Sequence, residues 1–459
     1  MEHISIVSAD GHIGMPYTGY KDYIDPKHKD DLDQLAGEQQ FYEVMLVGQV
    51  LAIEPEIAKA IDTRGVAHLR RELYWDVEKR VAQMDEEGLA GEFVISTNDL
   101  APFFSIMNSP YSAELRDAGV RAYNRWAAEV MVRSGGRIFA NGENPPAIED
   151  AITNVGWLAE NGYHSVTVPG LVLDESLPPV YSREWDPYWA ACAEAGVVLN
   201  VHAGWGTRQG LWRDFFEGFA ADMMAGKYGT MMAADDLDSH DVLMEATAAL
   251  DAKNPDSPLA LTVLPHQVLW RMMLSGVFDR HPALKLVLTE VRADWVPSLI
   301  GYLDKRFDEA SSKPKLRPSE YWARNCAVTP SAHHRAEVQI RDQIGVNQWM
   351  FGADIPHPEG TWPNTRQWLL DSFSGADEDD ARNMVGENAL RVYGVDRNPI
   401  DAAAARIGMT AADLVGGTDL SDVVLGTFNT RAGYERGVVE IDYGKVDERL
   451  EGDLLSLGS

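Results

Sequence analysis

The chain has 459 residues and a formal net charge of −31. That length is enough for one large α/β domain with additions, or for two domains. The acidic balance argues against sequence-independent binding to nucleic acid or to anionic membranes, which both need basic surfaces, and it predicts a solubilising exterior.

The elements alternate from the start. A β-branched segment at residues 4–7 predicts a first strand, with Ser8-Ala9-Asp10-Gly11-His12 at its exit. Residues 16–75 are irregular and rich in Tyr, Asp and Glu, with a helical patch at 41–61. A connection of that length predicts an insertion over a functional site. Val77, Val81 and Met84 recur at helical spacing, so 76–88 is predicted to be a helix that Gly88 stops. Strands are then expected at 93–96, 138–141, 165–168, 197–201, 284–288, 325–329 and 350–353. Helices are expected at 113–132, 148–160, 185–195, 259–278, 294–307, 334–344 and 378–393. Residues 205–257, rich in Met, Asp and aromatics, form a second long insertion after the fifth strand. From Asp396 the chain is Gly- and Asp-rich, and 396–459 is expected to be an appendage, a lid or a dimer arm.

Eight strands alternating with helices predict a parallel sheet, and eight such units over residues 1–395 fit a (β/α)8 TIM barrel. A doubly wound open sheet is the competing architecture. It would carry a Gly-rich phosphate turn after its first strand, and Asp10-Gly11-His12 is not one. Cys192 and Cys326 sit in apolar contexts and form no metal-type pair, so buried reduced thiols in a reducing compartment are expected. The N-terminus lacks a basic-then-apolar signal pattern, and no run approaches the roughly 20 apolar residues of a membrane span. A cytoplasmic location is expected.

In a barrel of this kind the chemistry sits where strands end. The strand ends supply Asp10 and His12, His202, Glu290 and Asp354. Residues i and i+2 of a strand point the same way, so Asp10 and His12 can both face the barrel axis. All five are metal-ligand types, and nitrogen and oxygen donors without thiolate suit Zn, Mn or Fe. Each has an ordinary alternative. Asp10 could hold a turn through Gly11, His202 could cap a loop, and Glu290 could pair with Arg292 or Arg271. The coincidence of all five at one rim favours the metal site.

His357, three residues past Asp354, either orients that carboxylate, touches substrate, or fixes the turn between Pro356 and Pro358. His266 is a further histidine within reach of the rim, whereas His164, His281, His333 and His334 are assigned to structure. In the second insertion Trp205, Trp212, Phe215, Phe216, Met223, Met224, Met231 and Met232 are first of all packing residues. If they line a pocket, the substrate has a sizeable apolar or aromatic part, and Arg208 or Arg213 could bind its carboxylate.

Several stretches resemble a known family. They are Ala9-Asp10-Gly11-His12, Val201-His202-Ala203-Gly204, the block from Leu274 through Arg280-His281-Pro282 to Glu290 and Trp295, Phe351-Gly352-Ala353-Asp354-Ile355-Pro356-His357-Pro358-Glu359-Gly360, and Gly386-Glu387-Asn388-Ala389 with Tyr393. Together they resemble the amidohydrolase superfamily, in the amidohydrolase-related branch that also holds the aminocarboxymuconate-semialdehyde decarboxylase type. The family's first-strand pair, fifth-strand His, sixth-strand His and eighth-strand Asp fall on Asp10 and His12, His202, Glu290 and Asp354. Asp10 and Glu290 replace histidines of the pattern, and Ser165–Gly170 offers no bridging Lys, so one ion or two is left open.

The resemblance implies a metal-dependent hydrolase acting on a carbonyl: an amide, ester, thioester or activated carbon–carbon bond. In that reaction Asp354 or Glu290 takes a proton from water and returns it to the leaving group. A metal-dependent non-oxidative decarboxylase of an aromatic or unsaturated acid is the alternative. A barrel without catalysis, serving as a binding subunit, is the third reading, and the five polar rim residues count against it. The resemblance and the long appendage also imply a homodimer with a small-molecule substrate.

Overall fold

The structure, a computed structural model, describes residues 3–33, 35–36, 69–96, 112–145, 147–169, 172–173, 177–203, 207–208, 264–309, 313–357 and 360–431. The helical patch at 41–61, most of the second insertion and residues 432–459 therefore lie outside the described residues.

The first strand is Val7–Ser8, and after a break it resumes as His12–Ile13. Both pieces pair in parallel with Gly91–Ser96. Parallel pairing then runs on through Ile138–Gly142, Ser165–Thr167, Val198–His202, Leu286–Thr289 and Cys326–Thr329. The eighth stretch closes the ring through isolated parallel bridges, Val328 to Trp349, Ser331 to Gly352 and Gly11 to Ile355. Ala9 N donates to Phe351 O at 2.7 Å and His12 N donates to Ile355 O at 2.7 Å. The architecture is a (β/α)8 TIM barrel. Its eighth member is less regular than the expected strand because Asp354 turns into the left-handed region, at φ 52°.

The helices form where capping and periodicity agree. Val77–Glu87 starts at Asp76, whose carboxylate accepts from Lys79 N, and ends at Gly88 in the left-handed conformation. This helix also sends Arg80 inward, fully buried. The helix Pro318–Asn325 was not expected from the sequence, although Pro318 at its first turn and Glu320 bonding back to Arg317 N are start signals.

The barrel floor is apolar. Val7, Phe93, Phe139, Val198, Val287 and Met350 meet there. Tyr393 of the closing helix stacks on Phe93 at 4.0 Å between ring centroids. Ile400, Ala403 and Ala404 of Asn398–Ile407 join the same cluster, so the first helix after Asp396 packs beneath the floor. With that end plugged, the polar strand ends are left at the opposite rim. Among the described residues no helix is long and apolar enough to cross a membrane.

Candidate metal centre

The five residues named from the strand ends come together at this rim, and His357 joins them. Asp10, His12 and Asp354 are almost completely buried, and Glu290 keeps a small exposed edge. His12 Nε2 lies 3.2 Å from Asp354 Oδ1, 3.5 Å from Glu290 Oε2 and 3.9 Å from Asp10 Oδ1. His202 Nε2 lies 2.7 Å from Glu290 Oε2 and 4.0 Å from Asp10 Oδ1. His357 Nδ1 is 3.1 Å from Asp354 Oδ1, and its ring stacks on His12 with centroids 3.8 Å apart.

Two overlapping donor sets result. His12, Glu290, Asp354 and His357 each offer an atom within 4.8 Å of the others, as do Asp10, His12 and His202. The lone pairs are not spoken for. Asp10 Oδ1, both Asp354 oxygens, Glu290 Oε2, His12 Nε2 and His202 Nε2 are buried without a hydrogen bond. Leaving ionised carboxylates in such a place costs several kcal/mol each unless a cation compensates. A divalent ion with bonds of about 2.1 Å sets neighbouring donors about 3.0–3.4 Å apart and opposite donors about 4.2 Å apart, which brackets most of this cluster. The residues present fit a divalent metal.

The local backbone aims these groups. His202 Nδ1 contacts Ala203 O at 2.9 Å; as donor there, it leaves the Nε2 lone pair to face the site. Asp354 N donates to Asp10 O at 2.9 Å, tying the first and eighth strands together at these two carboxylates. Glu290 and Asp354 both have positive φ, 55° and 52°, a conformation that side chains other than glycine rarely adopt and that is found at functional sites. Gly11 has no room for a side chain: a Cβ there would stand 2.4 Å from Glu92 Oε1.

The electrostatics follow from burial and crowding. Burial, then the charge of Asp354, pushes the Asp10 carboxyl up to about 7. Burial likewise raises Asp354. His12 is pushed down to about 4 by burial and by His357. For His202 burial works against the charged form, but Glu290 and then Asp10 outweigh it and lift the imidazole to about 9. Burial opposes ionisation of Glu290 too, but the His202 charge and the nearness of both histidines hold it well below the usual range.

The other candidates fall elsewhere. Arg292, considered as a partner of Glu290, meets Asp294 at 2.6 Å, and Arg271 sits over the Tyr181 ring. His266 belongs to neither donor set among the described residues, and its ring lies 3.9 Å from that of Trp295. His333 bonds Ser372 Oγ at 2.7 Å, His334 caps the helix Arg335–Gln339, His281 is 3.7 Å from Asp186, and His164 lies edge-on to Phe139. Only the backbone of Arg208 is described. Arg213, Trp205, Trp212, Phe215, Phe216, Met223, Met224, Met231 and Met232 lie outside the described residues.

Three groups near the rim were missed. Glu143, one residue beyond the third strand, is buried and accepts from Ser96 Oγ at 2.7 Å and Thr167 Oγ1 at 3.0 Å; burial pushes it up to about 7. The strand-end test that found Glu290 would have found it. Ser331, beyond the seventh strand, donates to Asp10 Oδ2. Arg80 and Glu92 form a buried ion pair below the site. No local pattern marks these two, because a polar residue on a helix or strand does not reveal its inward partner.

Gamma-resorcylate decarboxylase of Rhodococcus jostii (strain RHA1) is 29% identical over 134 residues, which are 28% of this chain and 39% of that protein. The alignment thus spans well under half of this relative. Among solved structures, 5-carboxyvanillate decarboxylase from Sphingomonas paucimobilis superposes with a TM-score of 0.56 at 20% identity, covering 86% of this chain and 100% of that one. A dihydroxybenzoic acid decarboxylase from Polaromonas sp. JS666, solved with bound manganese and the inhibitor 2-nitroresorcinol, gives 0.54 at 15% identity, covering 86% and 97%. These structural likenesses establish a shared fold. A family model described as amidohydrolase matches residues 68–395, and the chain therefore belongs to the amidohydrolase family.

Proposed function

We propose that the protein is a metal-dependent, non-oxidative decarboxylase of an aromatic carboxylic acid. The sequence likeness to a gamma-resorcylate decarboxylase is the observation that favours this reaction over hydrolysis. The buried cluster of histidines and carboxylates supports its chemistry.

Asp10, His12, His202, Glu290 and Asp354 would hold the ion. When bound, a divalent ion neutralises the crowded carboxylates and draws charge from oxygens of the substrate. Asp354, in its acid form, hands a proton to the ring carbon that bears the carboxylate. The electrons of the breaking carbon–carbon bond return to the ring, and CO2 leaves. His357, 3.1 Å from Asp354 Oδ1, passes a proton back to that carboxylate. Burial of the site strengthens each of these interactions by excluding water.

Hydrolysis, the first expectation from sequence, becomes the second reading. The family description supports it, and Glu290 or Asp354 would then act as base on water. The experiment is to incubate manganese-loaded protein with a panel of hydroxylated benzoic acids and to measure CO2 and arene together. Equal amounts of the two are expected. Cleavage of an amide or ester, with no CO2 from any acid of the panel, would overturn the proposal.

A further inference from the structure

Asp10 presents its two oxygens to different surroundings. Oδ2 accepts the hydroxyl of Ser331, from the loop after the seventh strand. Oδ1 has no hydrogen bond and faces His12 Nε2 at 3.9 Å and His202 Nε2 at 4.0 Å. Its backbone is held in place, because its carbonyl accepts from Ser8 Oγ at 2.6 Å and from Asp354 N at 2.9 Å. We propose that Ser331 is a positioning residue of the metal centre: its hydroxyl occupies Asp10 Oδ2 and turns Oδ1 alone toward the ion. The proposal rests on the metal-centre reading and is independent of which reaction the ion serves.

The loop that carries Ser331 is built to hold it there. Ser331 bridges to Gly352 of the eighth stretch, where a Cβ would come within 2.9 Å of both Asp10 Cβ and Thr329 Cγ2. Three chain segments are thus in close contact beside the carboxylate. The next residue, Ala332, has φ 42° and packs with Trp368 and Phe428. Trp368 Nε1 donates to His333 O at 2.6 Å, and His333 Nε2 meets Ser372 Oγ at 2.7 Å. Phe428, on the helix Asp422–Arg431, lies against Trp368 with tilted rings 4.4 Å apart. A backbone turn outside the favoured region persists where its surroundings over-determine it. Here the fixed turn delivers a hydroxyl to a ligand, the arrangement by which groups behind the ligands tune metal sites.

The test is equilibrium binding of Mn2+ to metal-free full-length protein, measured by competition with a chelating dye. Ser331→Ala removes only the hydroxyl and is expected to weaken binding about 10–100-fold, the usual effect of losing a partner behind a ligand. Ser331→Thr keeps the hydroxyl and should stay within about threefold of the wild type, a rescue that a purely structural role does not require. Far-UV circular dichroism of the metal-free variants checks that they fold alike. Two results overturn the proposal: Ser331→Ala binding Mn2+ as tightly as the wild type, or a folded Ser331→Thr binding as weakly as Ser331→Ala. A wild type that takes up no Mn2+ would overturn it as well. Loss of CO2 release with the binding difference intact would refute the decarboxylase reading alone.

Discussion

Charge removal at the Arg80–Glu92 pair gives the largest expected change in stability. Arg80 is 1% exposed and Glu92 0%. The contact is bidentate, Nε to Oε2 and Nη2 to Oε1, each at 2.8 Å. Arg80 also donates to Ile355 O at 2.7 Å, Leu73 O at 3.1 Å and His12 O at 3.4 Å. One guanidinium therefore joins the helix Val77–Glu87, the second strand and the backbone at His12 and Ile355. Glu92→Gln keeps the shape but leaves a buried cation without its counter-charge, which costs about 3–5 kcal/mol. Arg80→Met leaves the carboxylate instead. Burial already raises Glu92 despite Arg80, so it can take up a proton, and the loss should sit at the lower end of that range. Arg80→Met with Glu92→Gln removes both charges and should cost less than the two single changes summed. Urea unfolding of all four proteins, with Mn2+ and with chelator, measures these losses. Single variants within about 1 kcal/mol of the wild type, or a double variant equal to the sum, would refute the reasoning, because a buried pair must show coupling.

Other outcomes follow from the site. Mn2+ at about 100 times its Kd should stabilise the fold by about 2.7 kcal/mol, and chelator should remove the gain; a melting temperature indifferent to both contradicts the metal centre. Asp354→Asn should lower turnover by about 10²–10⁴-fold. The same change should leave the metal-free protein at least as stable, since it relieves repulsion from Asp10 and Glu290 and Asn tolerates the φ of 52°. Gly11→Ala should destabilise the fold and weaken Mn2+ binding together, because its Cβ would meet Glu92 Oε1 at 2.4 Å and Arg80 Nη2 at 2.9 Å. Burial pushes His333 down to about 3, against an ordinary value of 6.5. The unfolded chain therefore binds the extra proton first as pH falls. The neutral buried His333 loses stability relative to the unfolded state from about pH 6.5 downward, by about 1.4 kcal/mol per pH unit until its folded value is reached. His333→Gln should flatten the change in unfolding free energy, measured by urea, between pH 6.5 and 4.5 by about 2–3 kcal/mol relative to wild type, and an unchanged slope would contradict the burial.

The barrel was legible because its strands are short apolar runs and its helices carry caps. Asp76 and Gly88 mark both ends of Val77–Glu87, and the observed helix differs from the expected one only at its caps. The eighth stretch was found as a strand, but its departure from regular pairing was not, because that depends on the turned backbone at Asp354. The helices after Asp396 were missed since they are short and their apolar faces are completed by the barrel floor and Trp368, which no local period reveals. The cluster of candidate ligands was readable because metal-type residues at strand ends share one rim. Ser331, Arg80 and Glu92 were not, because their roles exist only through partners distant in sequence: Asp10 for Ser331, and the carbonyls of His12 and Ile355 for Arg80. Glu143 stands just past the third strand and meets the same strand-end criterion.

The central claim is that a proton, not a water oxygen, replaces the group this site removes. Turnover of an accepted aromatic acid in D2O by the manganese-loaded protein tests it directly. The expected product is an arene carrying one deuterium at the carbon that held the carboxylate, formed with one CO2 and lost in Asp354→Asn. A product that instead gains solvent oxygen, with its carboxylate carbon retained, would contradict the account.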